Sequence, residues 1–267
     1  MKFNSHPVFI KGKIIENKPL PGDYYHITIK APEIAKKARA GQFVMLSKWS
    51  LKNLLLKRPF SVNSIDADQG ILGLLYKKVG KGTQILSDSQ PKELVELIGP
   101  LGNGFSIPEE VKIIAIVGRG IGVATLIPWA EECSKKGIEI YSFLSAKEEK
   151  LLLGREKIEA LSIRTFYTTD NGSPGIKGMV TTFLEELLKD NTVHIGAVYT
   201  CGSKRLARHI RELQKDYHFS AYISLEERMG CGIGVCKGCV INTIHGYQRV
   251  CKEGPVFPLE EVIFDEQ

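Results

Sequence analysis

Four cysteines near the C-terminal end set the strongest constraint on this chain. They stand as Cys231, Cys236, Cys239 and Cys251, with four, two and then eleven residues between successive sulfurs. Three closely spaced thiols and a distant fourth match the plant-type ligand spacing for a 2Fe-2S cluster. A loop around an inorganic core must turn sharply and aim its sulfurs inward. Gly230, Gly232, Gly234 and Gly238 interleave with the cysteines, and glycine permits the positive φ and close backbone approach that this needs. Amides exposed by such a loop donate to sulfur and tune its potential. The fourth ligand arrives from a hairpin-like excursion, Val240 to Val250. Structural zinc and disulfides are the competing uses. Zinc sites favour two short-spaced pairs, and here only Cys236 and Cys239 form one. Disulfides belong to oxidising compartments, and Met1 to Lys18 has no apolar stretch of the secretory kind. The expected compartment is the cytoplasm. Cys133 falls in a helical stretch and reads as a small buried hydrophobe.

The remaining composition narrows the class further. A chain of 267 residues, 43% apolar and 25% charged, suits a globular protein with room for two modest domains or one domain with an appendix. The net charge of +6 is not gathered into a basic block with interleaved aromatics, which argues against nucleic acid as a partner. No apolar run approaches the ~20 residues that span a bilayer, so no membrane insertion is expected.

The sequence rhythm changes near Pro108. Before it, short β-rich runs alternate with turn residues at Val8–Glu16, Tyr24–Lys30, Gln42–Leu46, Phe60–Ile65, Ile71–Lys77 and Leu94–Ile98. Such a series predicts an antiparallel barrel, with a short helix at Lys81–Ser87. After Pro108, strand and helix patterns alternate. Lys112–Val117 is a continuous apolar run, as expected for a strand buried on both faces. Further strands are predicted at Ile138–Leu144, Arg164–Thr168, Ala197–Thr200 and Ala221–Ser224, with helices at Val123–Lys136, Met179–Lys189 and Lys204–Asp216. This order predicts an open parallel sheet with right-handed crossovers. The expected fold is therefore multi-domain: an antiparallel β-barrel over residues 1–108, an α/β parallel-sheet domain over 109–224, and a small C-terminal iron–sulfur unit over 225–267.

Three further motifs carry chemistry. Arg58-Pro59-Phe60-Ser61 opens a strand, where an Arg can pair with a pyrophosphate and Ser61 can bond a flavin ring. Gly80-Lys81-Gly82-Thr83 begins the short helix, and amides with a hydroxyl at a helix start make an anion site. Each is equally readable as an exposed strand start and an ordinary capped turn. Gly118, Gly120 and Gly122 follow a buried strand and open a helix, the context of a nucleotide-binding turn. Thr200-Cys201-Gly202-Ser203 ends a later parallel strand, where ligands of such sheets bind. Cys201 either faces a nicotinamide or simply packs.

Together these residues resemble the ferredoxin-reductase superfamily and, within it, the electron-transfer subunits of NAD-dependent dihydroorotate dehydrogenases. The likeness spans nearly the whole chain. It is most specific at Glu226-Glu227-Arg228-Met229-Gly230-Cys231-Gly232-Ile233-Gly234 and Val250-Cys251-Lys252-Glu253-Gly254-Pro255-Val256-Phe257. The resemblance implies FAD at Arg58–Ser61, at Leu75-Tyr76-Lys77 and at Gly82-Thr83, and a 2Fe-2S cluster on Cys231, Cys236, Cys239 and Cys251. It implies NAD as electron acceptor, and Gly118, Gly120, Gly122, Cys201 and Gly202, read from the two strand-end turns, are its candidate contacts. It also implies an FMN-containing catalytic subunit that oxidises dihydroorotate to orotate in pyrimidine biosynthesis, assembled with this chain as a heterotetramer. Hydride transfer moves two electrons and a 2Fe-2S cluster takes one; a flavin exchanges the two currencies. No general base is nominated. The chain departs from the family pattern at Arg119, where a glycine is expected, and at Ala124-Thr125, where a proline is usual. The departures are compatible with a paralogue serving another FMN partner. Related small subunits of electron-bifurcating transhydrogenase or sulfide dehydrogenase type share barrel and tail, but there an Asp can replace one cluster ligand. A zinc-binding redox sensor or scaffold is the remaining, non-enzymatic class.

Overall fold

The structure is a computed structural model that describes residues 6–48, 54–173, 176–190 and 192–264. Strands β1 (Val8–Leu20), β2 (Tyr24–Lys30), β3 (Phe43–Ser47), β4 (Arg58–Asp66), β5 (Ile71–Lys77) and β6 (Leu94–Leu101) close into a barrel. The order is β1-β2-β5-β4-β3-β6, with every pairing antiparallel. Closure leaves no unpaired edge. Strand alternation sends Ile27, Ile29, Leu72, Leu74, Val95 and Leu97 into the barrel core. Helix α1 (Pro32–Ala35) adds Ile34 to that core, and α2 (Lys81–Ser87) adds Leu86. Three strands outrun their sequence patterns because partners continue the ladder. β1 runs on to Leu20 opposite Tyr24, β4 starts at Arg58 opposite Leu46, and β6 reaches Leu101 opposite Phe43.

The chain then alternates through β7 (Ile113–Arg119), α3 (Val123–Lys135), β8 (Glu139–Ala146), α4 (Arg155–Leu161), β9 (Arg164–Thr169), β10 (Ile176–Lys177), α5 (Thr181–Asp190), β11 (Ala197–Cys201), α6 (Lys204–Tyr217) and β12 (Ser220–Ser224). After it come the hairpin β13 (Val240–Thr243) and β14 (Gly246–Arg249), then β15 (Val256–Pro258). The sheet order is β10-β9-β8-β7-β11-β12-β15, parallel throughout except for β15 at the edge. Period-two alternation in β7 serves both faces. Ile114 and Ile116 pack with Leu126 and Trp129 of α3, while Ala115 and Val117 pack with Leu184 of α5 and Ile210 of α6. Successive strands run outward from β7 in one direction through β8 and β9, then in the other from β11. The crevice beyond the carboxyl ends of β7 and β11 is thus the switch point where sheets of this kind take ligands.

The segment beyond Leu225 is fastened at several points. β15 pairs with β12, Tyr222 opposite Pro258. Asn103, just after β6, donates its amide N–H to Gly254 O at 2.6 Å and its side-chain amide to Glu253 O at 2.8 Å. The partly buried Arg211 of α6 donates to the carbonyls of Leu259 and Val262. Among the described residues no helix is long and apolar enough to cross a membrane.

Candidate functional site

A cleft of about 860 Å³ is walled by barrel strands on one side and the start of α3 on the other, a volume typical of cofactor sites. All eleven barrel residues singled out in the sequence line it: Arg58, Pro59, Phe60, Ser61, Leu75, Tyr76, Lys77, Gly80, Lys81, Gly82 and Thr83. Alternation decides which of them present side chains. Phe60 and Tyr76 belong to the barrel core. The Tyr76 phenol donates to Asn17 Oδ1 at 3.1 Å, its ring stacks on Tyr25, and burial pushes its pKa up. Those two residues therefore offer mainly backbone to the cleft. Leu75 turns outward to Ala124 and Leu153. The Thr83 hydroxyl accepts N–H groups of Val79 at 2.9 Å and Gly80 at 3.1 Å and donates to Gly80 O. It caps its own helix, so the anion-binding capacity of this turn lies with the first-turn amides of Lys81 and Gly82.

The rest of the wall was not assigned from sequence. Ile121, Ala124 and Thr125 supply one part, and Leu225 to Met229 with Pro255 supply another. The start of α3 is pinned to the barrel by Asn63 Nδ2, which donates to Ala124 O at 2.9 Å. Thr125 Oγ1 is buried without a hydrogen-bond partner. A buried orphan hydroxyl in a cleft wall is what a polar cofactor atom would satisfy. The donor set, apolar walls and volume fit a flavin dinucleotide. The only sequence signals for these residues were indirect: Thr125 stood out as a departure, and Glu226 to Met229 lay in the stretch carrying the resemblance.

The four cysteines meet as two pairs. Cys231 is in side-chain contact with Cys236, and Cys239 with Cys251. The Cys236 amide points at Cys231 Sγ at 3.4 Å, and the Cys251 amide at Cys239 Sγ at 3.5 Å. Desolvation opposes ionisation of Cys231, yet the amides of Cys236, Ile233 and Val235 outweigh it and lower the thiol pKa. Burial, followed by the neighbouring Cys239, raises that of Cys251. Two pairs supply two sulfurs to each iron of a 2Fe-2S core, whereas zinc needs all four around one point. Cys239 and Cys251 are buried, Cys236 is exposed. The loop depends on glycine at Gly232: φ is +72°, and a Cβ there would lie 2.3 Å from Met45 Cγ of β3. Arg249 ties the hairpin to the loop, donating to Gly234 O at 2.8 Å and to Glu253 at 3.0 Å. Met229 on one flank of the loop and Pro255 on the other both line the cleft. Loop and cleft thus share walls.

Gly118, Gly120 and Gly122 lie at the carboxyl end of β7, and Cys201 and Gly202 at that of β11, its neighbour. The two turns touch backbone to backbone. A Cβ on Gly122 would lie 2.5 Å from Cys201 O, and one on Gly202, at φ +99°, 2.4 Å from Arg119 O. Of these five residues, only Gly122 lines the cleft. The Cys201 thiol is 2% exposed, packed with the α3-side core, and burial pushes its pKa up. Cys133 is buried in that same core, as expected, and its thiol is pushed up to about 12 by burial.

A flavin-sized cleft between an antiparallel barrel and a switch-point sheet, with paired cysteines at its margin, defines a class: reductases of the ferredoxin-reductase fold bearing an iron–sulfur module. The fold matches a ferredoxin NADP+ reductase from Neisseria gonorrhoeae with bound FAD and NADP at a TM-score of 0.64 and 19% identity, over 82% of this chain and 94% of that one. It matches the structure of NADH-dependent reduced ferredoxin-NADP oxidoreductase, solved for flavin-based electron bifurcation, at a TM-score of 0.85 and 27% identity, over 94% and 89%. Residues 226–263 match the family described as the iron-sulfur cluster binding domain of dihydroorotate dehydrogenase B. The dihydroorotate dehydrogenase B (NAD(+)) electron transfer subunit of Caldanaerobacter subterraneus subsp. tengcongensis is 36% identical over 259 residues, 96% of this chain and 98% of the relative. That of Bacillus pumilus is 34% identical over 254 residues, 93% and 96%. This chain belongs to the family of dihydroorotate dehydrogenase B (NAD(+)) electron transfer subunits.

Proposed function

We propose that this chain relays electrons between NAD and a partner subunit that carries FMN and oxidises dihydroorotate to orotate, a step of pyrimidine biosynthesis. The observation that carries this reading is the shared wall: Met229 and Pro255 bracket the cysteine loop and line the cleft. When bound, a flavin supplies the exchange between paired and single electrons, and a 2Fe-2S cluster supplies single-electron transfer. Cys231, Cys236, Cys239 and Cys251 hold the cluster. Arg58 and the amides of Lys81 and Gly82 hold the FAD pyrophosphate, Ser61 orients the ring, Thr125 adds a polar contact, and the backbone of Leu75-Tyr76-Lys77 lies along it. Gly118, Gly122 and Gly202 let the two turns pack closely against each other and against α3, and Gly120, with open space beside its Cα, lets the backbone approach the nicotinamide dinucleotide at the switch point; Cys201 shapes that turn from beneath. In this division of labour residues 1–108 hold FAD, 109–224 hold NAD and 225–267 hold the cluster.

The loop exposes Ile233 and Val235, the latter at 74%, and the hairpin exposes Ile244 and Tyr247, the latter at 79%. Exposed apolar side chains on the loop that carries the exposed Cys236 suit docking of the FMN subunit, in a heterotetramer in the cytoplasm, where thiols stay reduced. Dihydroorotate added anaerobically to the assembled complex should bleach both flavin and cluster absorption, and subsequent NAD should restore them. Bleaching that leaves the cluster band untouched would remove the cluster from the route. The likeness to the electron-bifurcating oxidoreductase favours a second reading, a subunit of such a complex. Under that reading dihydroorotate bleaches nothing and NADH does.

A further inference from the structure

Arg119 interrupts the glycines at the end of β7, and its side chain is already engaged. Its Nη2 lies 2.8 and 3.1 Å from the two carboxylate oxygens of Asp170. Asp170 follows β9, so the bridge reaches across the end of β8. Strand register shows what lies beneath. Arg119 is opposite Ser145, and Ser145 is opposite Thr168, which places all three in one row on one face. Thr200 lies on the same face, opposite Val117, one side-chain step below Arg119. The hydroxyls of Ser145, Thr168 and Thr200 are each at least nine-tenths buried and have no hydrogen-bond partner.

Neither half of this arrangement is explained by stability. A partly exposed ion pair contributes little, and buried hydroxyls without partners cost free energy. As a recognition set the two halves agree. A guanidinium is a planar donor fork matched to phosphate oxygens, and hydroxyls add donors of adjustable direction. The row sits at the switch point, beside Gly120, where φ is +53° and the space next to the Cα is open. We propose that Arg119 is a ligand for the diphosphate of the nicotinamide dinucleotide, held in place by Asp170 until the nucleotide arrives. The diphosphate carries more charge than one carboxylate, so Arg119 exchanges Asp170 for it on binding. This rests on reading the switch point as the NAD site.

Calorimetric titration of the FAD- and cluster-loaded complex with NADH, ADP and adenosine tests the assignment, with flavin content and Tm measured for each variant. Arg119→Ala should weaken NADH and ADP by about tenfold or more, the scale of a charge-assisted contact, and leave adenosine unchanged. Arg119→Lys, which keeps charge but loses the fork, should fall between. Asp170→Asn should tighten ADP, because the competing carboxylate is gone. Unchanged or tighter ADP binding in Arg119→Ala overturns the proposal. So does Asp170→Asn weakening ADP as much as Arg119→Ala does, which would make the pair a brace between β7 and β9. A wild-type complex that keeps its flavin but binds neither NADH nor ADP removes the NAD-site reading itself, a distinguishable failure.

Discussion

Individual side chains divide cleanly between the cluster and the flavin cleft, so their substitutions should separate the two cofactors. Cys236 is the exposed member of its pair, and its side chain does not line the cleft. Cys236→Ser should lose or remodel the cluster, seen as lower iron and an altered visible spectrum, while FAD stays bound. Unchanged iron content would refute the ligand assignment. Arg58 lines the cleft and is steadied by donation to Leu56 O at 2.6 Å. Arg58→Ala should lower FAD affinity by about tenfold, the scale of a lost hydrogen bond to a charged group, measured by fluorescence of released flavin. Affinity equal to wild type would take Arg58 out of the pyrophosphate role.

At the scale of elements, Asn103 is the residue that ties the C-terminal segment to the end of the barrel. Asn103 donates to the carbonyls of Lys252, Glu253 and Gly254. Asn103→Ala removes the side-chain bonds and keeps the backbone one. It should cost ~0.5–1.5 kcal/mol, the net worth of a hydrogen bond whose acceptor water can still reach, and, on heating, release the cluster before the flavin. Simultaneous loss of both would show that barrel and tail melt as one unit. The same contrast explains what the sequence could reveal. β2 places Ile27 and Ile29 on one buried face and could be read to its ends from that alternation; β5 and β7, buried almost continuously, were legible as runs rather than as alternation. Elements defined by a partner were invisible. α1 is a single turn, β10 has two residues, and β15 is a strand only because β12 lies beside it. α4 lies between β8 and β9, and its seven residues are too few to establish a helical period. The cluster spacing was fully legible because its ligands are local in sequence. The cleft was half legible: Arg58 to Ser61 belong to a motif, whereas Thr125 and Met229 acquire meaning only when α3 and the tail fold against the barrel.

Across the whole molecule, three stretches far apart in sequence build one passage. The barrel supplies the cleft, the parallel sheet supplies a switch-point crevice at its edge through Gly122, and the tail closes it with Met229 and Pro255. Gly232 rests on Met45 of β3, the strand whose Phe43 lines the cleft, so the cysteine loop is seated on the barrel beside it. Metal, sulfide and flavin content of the anaerobically purified chain tests this arrangement most directly. The account predicts about two irons and two acid-labile sulfides per chain, together with bound FAD. Stoichiometric zinc with no acid-labile sulfide would contradict it.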